Sequence, residues 1–493
     1  MLWLLYVFLI YWILIEFLNR KGILEKYGMK NYGPILMIRT KKGLNAVEKI
    51  SRAKKFWKVI ADLGLPAVFF GMAFMLVLVI VVDYIMIVSP PQPSELTSVQ
   101  AALLIPGVNP FIPLVWGIIG LIVTLVVHEF AHAILCRVEG IKVKSLGVIL
   151  ALVPIGAFAE PDEGELFDKK TKRISRIRVF SIGVISNFIV ALLAFLAFFQ
   201  GLSLLNPTNA VVDDNGKFIG RVVEINGFEV KNGIEDLIKP NQMNSLVLEN
   251  DSGKHTMTFF GIKGVKLSGL YREENKTFPA ELAGMKGGMM ITKIDGVSVS
   301  NAIDFNREMQ KKKPGQNISI EVFDPESQDL KTFNLTLVDK NGRAFMGVYV
   351  SQLECIGGLN FYNSKELLDN LKSIPESLKE PVGWFLAISL PFSFQGFTGM
   401  ENLFDNPPYL FWLLNSLYWI AWINFWVGLF NCLPAIPLDG GRVFHETFSA
   451  MLSRRFGDRA EKVSMQIAKF FAVFIFLSLA MMILVPNLKL LGL

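Results

Sequence analysis

Residues 111–138 read FIPLVWGIIGLIVTLVVHEFAHAILCRV. The run up to Val127 carries no charge, and a hydrocarbon core roughly 30 Å thick is crossed by about 20 predominantly apolar helical residues. The stretch is therefore expected to be a membrane-spanning helix, with two histidines and a glutamate placed where ionisable groups are costly. Working outward, further runs qualify or nearly do. Residues 1–18 are apolar apart from Glu16, 65–88 carry only Asp83, 179–205 are uncharged, 409–438 are uncharged up to Asp439, and 470–488 are the last. Residues 1–18 lack a basic leading segment and a small-residue cleavage site, so they read as an uncleaved anchor. The expected fold class is a polytopic α-helical membrane protein of about six transmembrane helices.

Composition agrees. The apolar fraction of the 493 residues is 52% and the mean hydropathy is +0.43, above ordinary globular usage, while the middle third of the chain is polar. Cys136, Cys355 and Cys432 lie far apart with no CxxC spacing, which supports neither a disulfide framework nor a cysteine-rich metal site. The net charge of +6 gathers near the ends of the apolar runs. It reads as a topology signal, and no nucleic-acid partner is expected.

Lysine and arginine then orient the spans. Residues 19–60 hold twelve Lys/Arg against two Asp/Glu and are expected in the cytosol, as are 139–178 with KKTKRISRIR and the arginines after Asp439. Alternation puts both termini and 206–408 outside. Residues 381–400 are uncharged but contain Pro381, Pro391 and three glycines. As a span they would carry Asp439 out on the side opposite His128, so they read as interfacial or re-entrant. The segments so defined are 1–110, 111–205, 206–350, 351–408, 409–450 and 451–493.

Region 206–350 repeats itself. INGFEVKNGIEDL at 225–237 matches IDGVSVSNAIDF at 294–305 with an offset of 69. Each copy reads as a strand, an Asn-Gly or Asp-Gly turn, a strand and an amphipathic helix. A further strand follows each copy, SLVLEN at 245–250 and NISIEVF at 317–323, making a small α+β module.

The chemistry lies in HEFAH. Histidines four apart on a helix project from one face about 5–6 Å apart, a spacing that suits two ligands of one tetrahedral zinc. Glu129 is angled beside them, where it can take a proton from bound water. A third ligand is needed. His255 falls in the exterior region and is excluded by side. His445 is the weaker choice, and Asp439 the better one, because the prolines and glycines of NCLPAIPLDGGR break the helix and let a carboxylate reach inward. A metal transporter would also bury His and Asp, but it has no use for the adjacent base and shows an inverted repeat, which is not visible here. A scaffold that binds tails without catalysis would dispense with Glu129.

HEFAH within a span, GAFAEPDE after it, GVISN in the next span and NCLPAIPLDGG in a later one resemble the intramembrane site-2 protease family. PAELAGMKGGMMITKIDGVSVSNA resembles a PDZ domain, the extracytoplasmic insert of that family's bacterial and archaeal members. The resemblance implies zinc bound by His128, His132 and Asp439, with Glu129 as general base. It implies that Asn187, of the Gly-x-x-x-Asn element, holds the scissile carbonyl or its oxyanion. Val184 stands where many members have proline. The implied substrates are single-span proteins of the cell membrane, cleaved within or near the lipid bilayer, with peptide tails bound at the PDZ-like region. The segment 145–165, apolar but interrupted by Pro154, reads either as a re-entrant strand pair that takes an extended substrate on its edge or as a plain cytosolic hairpin.

Overall fold

The apolar runs are helical in the structure, a computed structural model that describes residues 2–487 apart from 104, 152, 169, 232, 274 and 275. The helices used below are α1 (Leu2–Arg20), α2 (Leu44–Ser51), α3 (Lys54–Val88), α4 (Leu114–Val138), α5 (Arg173–Gly201), α6 (Ala302–Gln310), α7 (Pro381–Ser393), α8 (Pro408–Cys432), α9 (Asp439–Phe456) and α10 (Ala460–Asn487). Among the described residues, five helices are long and apolar enough to cross a membrane, namely α3, α4, α5, α8 and α10. The chain is thus an integral, multi-pass membrane protein. The sixth expected run forms α1, whose Ile15 packs in a small cluster with Leu24 and Leu36. Two compact units are present, one of Met1–Gly201, Ile388–Gly396 and Trp412–Leu493, the other of Leu202–Ala387 and Phe397–Phe411.

Several helices outrun their apolar stretches because their charged ends find partners. Arg178 at the start of α5 grips Asp62 of α3 through two contacts of 2.7 Å and reaches Glu139 beyond α4 at 3.2 Å. Deeper in, contact is made through small residues, as lipid-embedded helices require. A side chain at Gly71 would sit 2.7 Å from Cys432 Sγ, and one at Gly120 2.7 Å from the Trp419 carbonyl oxygen. Val47 of α2, Ala61 of α3, Leu135 of α4, Ile182 of α5 and Val443 of α9 share one buried core. The basic segment before residue 60 therefore buttresses the HEFAH helix, and Arg137 ties it down through Glu48 at 2.7 Å.

That segment also contributes strands that its charge concealed. β1 (Met29–Tyr32) and β2 (Ile35–Thr40) join β3 (Val143–Ala151) and β4 (Val153–Pro161) in an antiparallel sheet of order β1-β2-β3-β4. The 145–165 hairpin is thus half of a larger sheet whose edge is β4. α7 has 13 residues, about 20 Å at 1.5 Å per residue, which is too short to span. The chain beyond it is held by α8, where Tyr418 donates to the Phe394 carbonyl at 2.6 Å and Trp419 to that of Gln395 at 3.1 Å.

The second unit is built on the repeat. Among its strands are β5 (Asn209–Val212), β6 (Phe218–Ile225), β7 (Phe228–Glu229), β8 (Met243–Asn250), β9 (Gly253–Phe260), β10 (Lys263–Leu270), β11 (Met290–Ile294), β12 (Val297–Ser298), β13 (Asn317–Asp324), β14 (Asp329–Thr336), β15 (Glu354–Ile356) and β16 (Leu359–Asn363). They run in one sheet, β14-β13-β11-β10-β15-β16-β5-β6-β8-β9, with β7 paired to β6 and β12 to β11. The hairpin β15–β16 thus joins two like halves. Asn226-Gly227 turns with φ of 52° and 83°, and Asp295-Gly296 with 50° and 79°, the doubly positive turn that Asn-Gly and Asp-Gly favour. Each copy also shifts register at the same place, between Val222 and Glu224 and between Ile291 and Lys293.

The copies part after the turn. The second forms α6, capped by the Asn301 side chain, which accepts from the Asp304 backbone N–H at 2.9 Å. Where the first copy was expected to form a helix, the described residues form a single 3-10 turn at Glu235–Leu237. Pro240 follows too closely, pushing the residue before it out of the helical region, whereas the second copy runs on to Pro314.

Candidate metal centre

α4 presents His128 and His132 on one face, and their Nε2 atoms lie 3.2 Å apart. Asp439 Oδ2 completes a triangle, 3.0 Å from His128 Nε2 and 3.1 Å from His132 Nε2. Ligand atoms about 2.0–2.1 Å from a tetrahedral zinc stand roughly 3.3 Å from one another, so the three fit one such ion. Among the described residues no other group of three His, Cys, Asp or Glu gathers its ligand atoms in this way.

Asp439 arrives from 307 residues beyond His132. The helix breaks where the prolines and glycines of NCLPAIPLDGGR predict: α8 ends at Cys432 and Asp439 opens the next helix, α9. Both glycines after it are required by close backbone approach. A side chain at Gly441 would sit 2.5 Å from the Ala435 carbonyl, and one at Gly440 would strike that of Cys432. The helix is then pinned to α5 by Arg176, whose guanidinium meets Glu446 at 2.7 and 3.0 Å. Glu446 is buried, and removing one partner of such a pair costs about 3–5 kcal/mol.

α5 lines the back of the centre with Val179, Gly183 and Asn187, spaced four apart on one face. The Val179 carbonyl oxygen lies 2.6 Å from His132 Nδ1, which leaves Nε2 free to ligate. A side chain on Gly183 would sit 2.6 Å from His128 Nε2 and closer still to His132 Nε2. Asn187 is fully buried, with its side-chain nitrogen 3.1 Å from His128 Nδ1. Glu129 Oε2 accepts the Ala159 N–H of β4 at 2.7 Å. A cavity of about 340 Å³ opens here, lined also by Thr124, Gly156, Ala157, Asn431 and Arg442.

The model of peptidase family M50 matches residues 116–475. The chain belongs to that family. This M50 peptidase is 34% identical over 241 residues to an uncharacterized protein of Methanocaldococcus jannaschii, covering 47% of the chain and 61% of that protein. It is 28% identical over 189 residues to the zinc metalloprotease RasP of Shouchella clausii, covering 37% and 43%. The matches therefore span less than two thirds of either relative. A PDZ domain of an SdrC-like protein from Listeria monocytogenes aligns with 18% of the chain and 87% of that domain at 22% identity and a TM-score of 0.16, too low to bear on the fold of the insert.

Of the residues singled out in the M50 sequence, His128, His132, Glu129, Asp439 and Asn187 come together. His445 does not, and its Nδ1 lies 2.8 Å from Ser464 Oγ on α10. His255 stands on β9 in the other unit. The sequence reading missed Val179 and Ala159, which act through backbone atoms and leave no signature in residue type. It also missed Arg442, whose guanidinium stacks 5.2 Å from the Phe180 ring at the cavity wall. Its place three residues after Asp439 is the signal that could have found it.

Proposed function

We propose that the chain is an intramembrane zinc protease that hydrolyses peptide bonds in the transmembrane segments of single-span proteins. One observation carries this reading: the His–His–Asp cluster, Glu129 and the open edge of β4 meet in a single cavity. When held by His128, His132 and Asp439, zinc supplies Lewis acidity and lowers the pKa of a bound water toward about 7. Glu129 carries the proton. Its Oε2 is anchored by Ala159, and its other oxygen takes a proton from the attacking water and returns it to the leaving amine. A helical substrate shields its carbonyls with its own hydrogen bonds, so it must be extended to be cut. Ala159 turns its N–H away from β3, and alternation puts the N–H and C=O of Ala157 on the same open side. An extended segment paired there passes beside Glu129.

Peptide tails are assigned to the second copy of the insert, because a peptide lying along a strand needs a helix to close the groove. Among the described residues only that copy has one, α6. The insert would act as a filter on substrates, since every metal ligand belongs to the membrane unit.

The test uses purified enzyme in liposomes with a single-span substrate. Cleavage should stop on treatment with 1,10-phenanthroline and return with zinc. Asp439→Ala should lose both zinc and cleavage, and His445→Ala neither. Cleavage that survives complete chelation would remove the metal from the reaction, and full zinc in Asp439→Ala would remove Asp439 from the ligand set.

The proposed sidedness is open to labelling. All three native cysteines are buried, and burial pushes the Cys355 thiol up to about 12, so an introduced cysteine reports alone. Placed at Leu282, which is 74% exposed, it should react with an impermeant reagent in intact cells. At Lys42 it should react only after lysis. The reverse pattern would invert the assignment.

A further inference from the structure

Asn187 faces a histidine and not the cavity. Its amide abuts His128 Nδ1, the ring nitrogen turned away from the cluster, at 3.1 Å. Its Oδ1 is buried without a hydrogen-bond partner. His128 Nε2 is the nitrogen that faces Asp439 and His132, so a metal there takes the Nε2 lone pair. The proton of the neutral ring then sits on Nδ1, which becomes a donor. A side-chain NH2 cannot accept it, and the amide oxygen can. Rotating the amide end for end exchanges the two atoms, places Oδ1 against Nδ1–H, and removes both the donor–donor contact and the orphaned oxygen.

We infer that Asn187 is a positioning residue, whose carbonyl oxygen accepts the His128 Nδ1–H and fixes that ring as a metal ligand. The inference rests on the zinc-site reading above and assigns Asn187 a different task from contact with the scissile carbonyl. The other ligand ring supports it, because His132 Nδ1 meets an oxygen of the same helix face, that of Val179 at 2.6 Å. α5 thus offers one oxygen to the back of each imidazole, one from the main chain and one from a side chain.

Asn187→Asp separates the alternatives, since a carboxylate accepts but does not donate. Zinc affinity is measured by chelator competition on the purified full chain, alongside the thermal stability of the metal-free protein. Asn187→Asp should hold zinc within a few-fold of wild type or more tightly. Asn187→Leu, of similar volume and without a buried amide to satisfy, should fold and lose roughly 10–100-fold in affinity, the usual cost of removing a ligand's outer partner. Metal-free stability should separate the two variants far less than zinc does. Equal losses of zinc in Asp and Leu, or an Asp variant that fails to fold even with zinc, would overturn the acceptor role. Wild-type affinity in Leu would overturn any role in positioning. Zinc retained by the Asp variant while cleavage is lost would uphold the acceptor role and add a second task for the NH2. Loss of zinc in Asp439→Ala with none in Asn187→Leu would leave the zinc reading standing and sink this inference alone.

Discussion

Gly183→Ala is expected to purify as a folded membrane protein without its metal. The new methyl would lie 2.6 Å from His128 Nε2 and closer still to His132 Nε2, inside the separation at which non-bonded atoms coexist. Both nitrogens belong to the His–His–Asp cluster, so the rings cannot turn aside without abandoning it. Nor can α5 back away easily. It is packed along its length, with Ile182 and Val184 buried on either side of the glycine. Overpacking of this kind costs about 1–3 kcal/mol in an ordinary core. Here it falls on the ligand geometry itself, and the expected loss of zinc affinity is on the order of a thousandfold, about 4 kcal/mol. The helix does not suffer, because alanine favours it over glycine by about 1 kcal/mol. Zinc content by mass spectrometry and helicity by circular dichroism separate the two effects. Stoichiometric zinc in a fully helical variant would show that the glycine is not the floor of the site.

Glu129→Gln is expected to give the opposite dissociation, with metal kept and turnover lost. The present carboxylate does two things, accepting the Ala159 N–H at 2.7 Å and facing the cavity. A glutamine retains an oxygen for the first task, so the junction between α4 and β4 should survive. What it cannot do is take up a proton near neutral pH. General acid–base catalysis is worth roughly 10²–10⁴-fold, and cleavage should fall by at least the lower figure at unchanged zinc occupancy. Rates within tenfold of wild type would mean that another group moves the proton.

How much of this was legible depended on where the information resides. His128, Glu129 and His132 announce themselves because three ionisable groups in an apolar run need compensation, and the spacing names the compensator. Asp439 was legible from its prolines and glycines, although it opens the helix after the break and does not close the one before it. Gly183 and Asn187 were visible only as a motif, since what matters is the distance from one helix to another. Val179 was out of reach, because its contribution is a carbonyl oxygen that every residue possesses. The strands at 29–40 were hidden by surrounding lysines and arginines, whose charges report sidedness and say little about backbone pairing. In the insert, a repeat seen at the level of residues promised two helices. The position of Pro240 allowed one, a local steric veto that the matching pattern does not encode.

Asp439 lies 307 residues downstream of His132, and the insert separates them. During synthesis the HEFAH helix is in place long before its third ligand exists. At about 5–20 residues per second, the interval is roughly 15–60 s. Through that interval the nascent chain holds Glu129 and two imidazoles without Asp439, so a protease that needs all three cluster residues could not yet cut the helices around it. On the proposed function, activity would wait until α9 docks against α5, and the order of translation itself would serve as a safety catch.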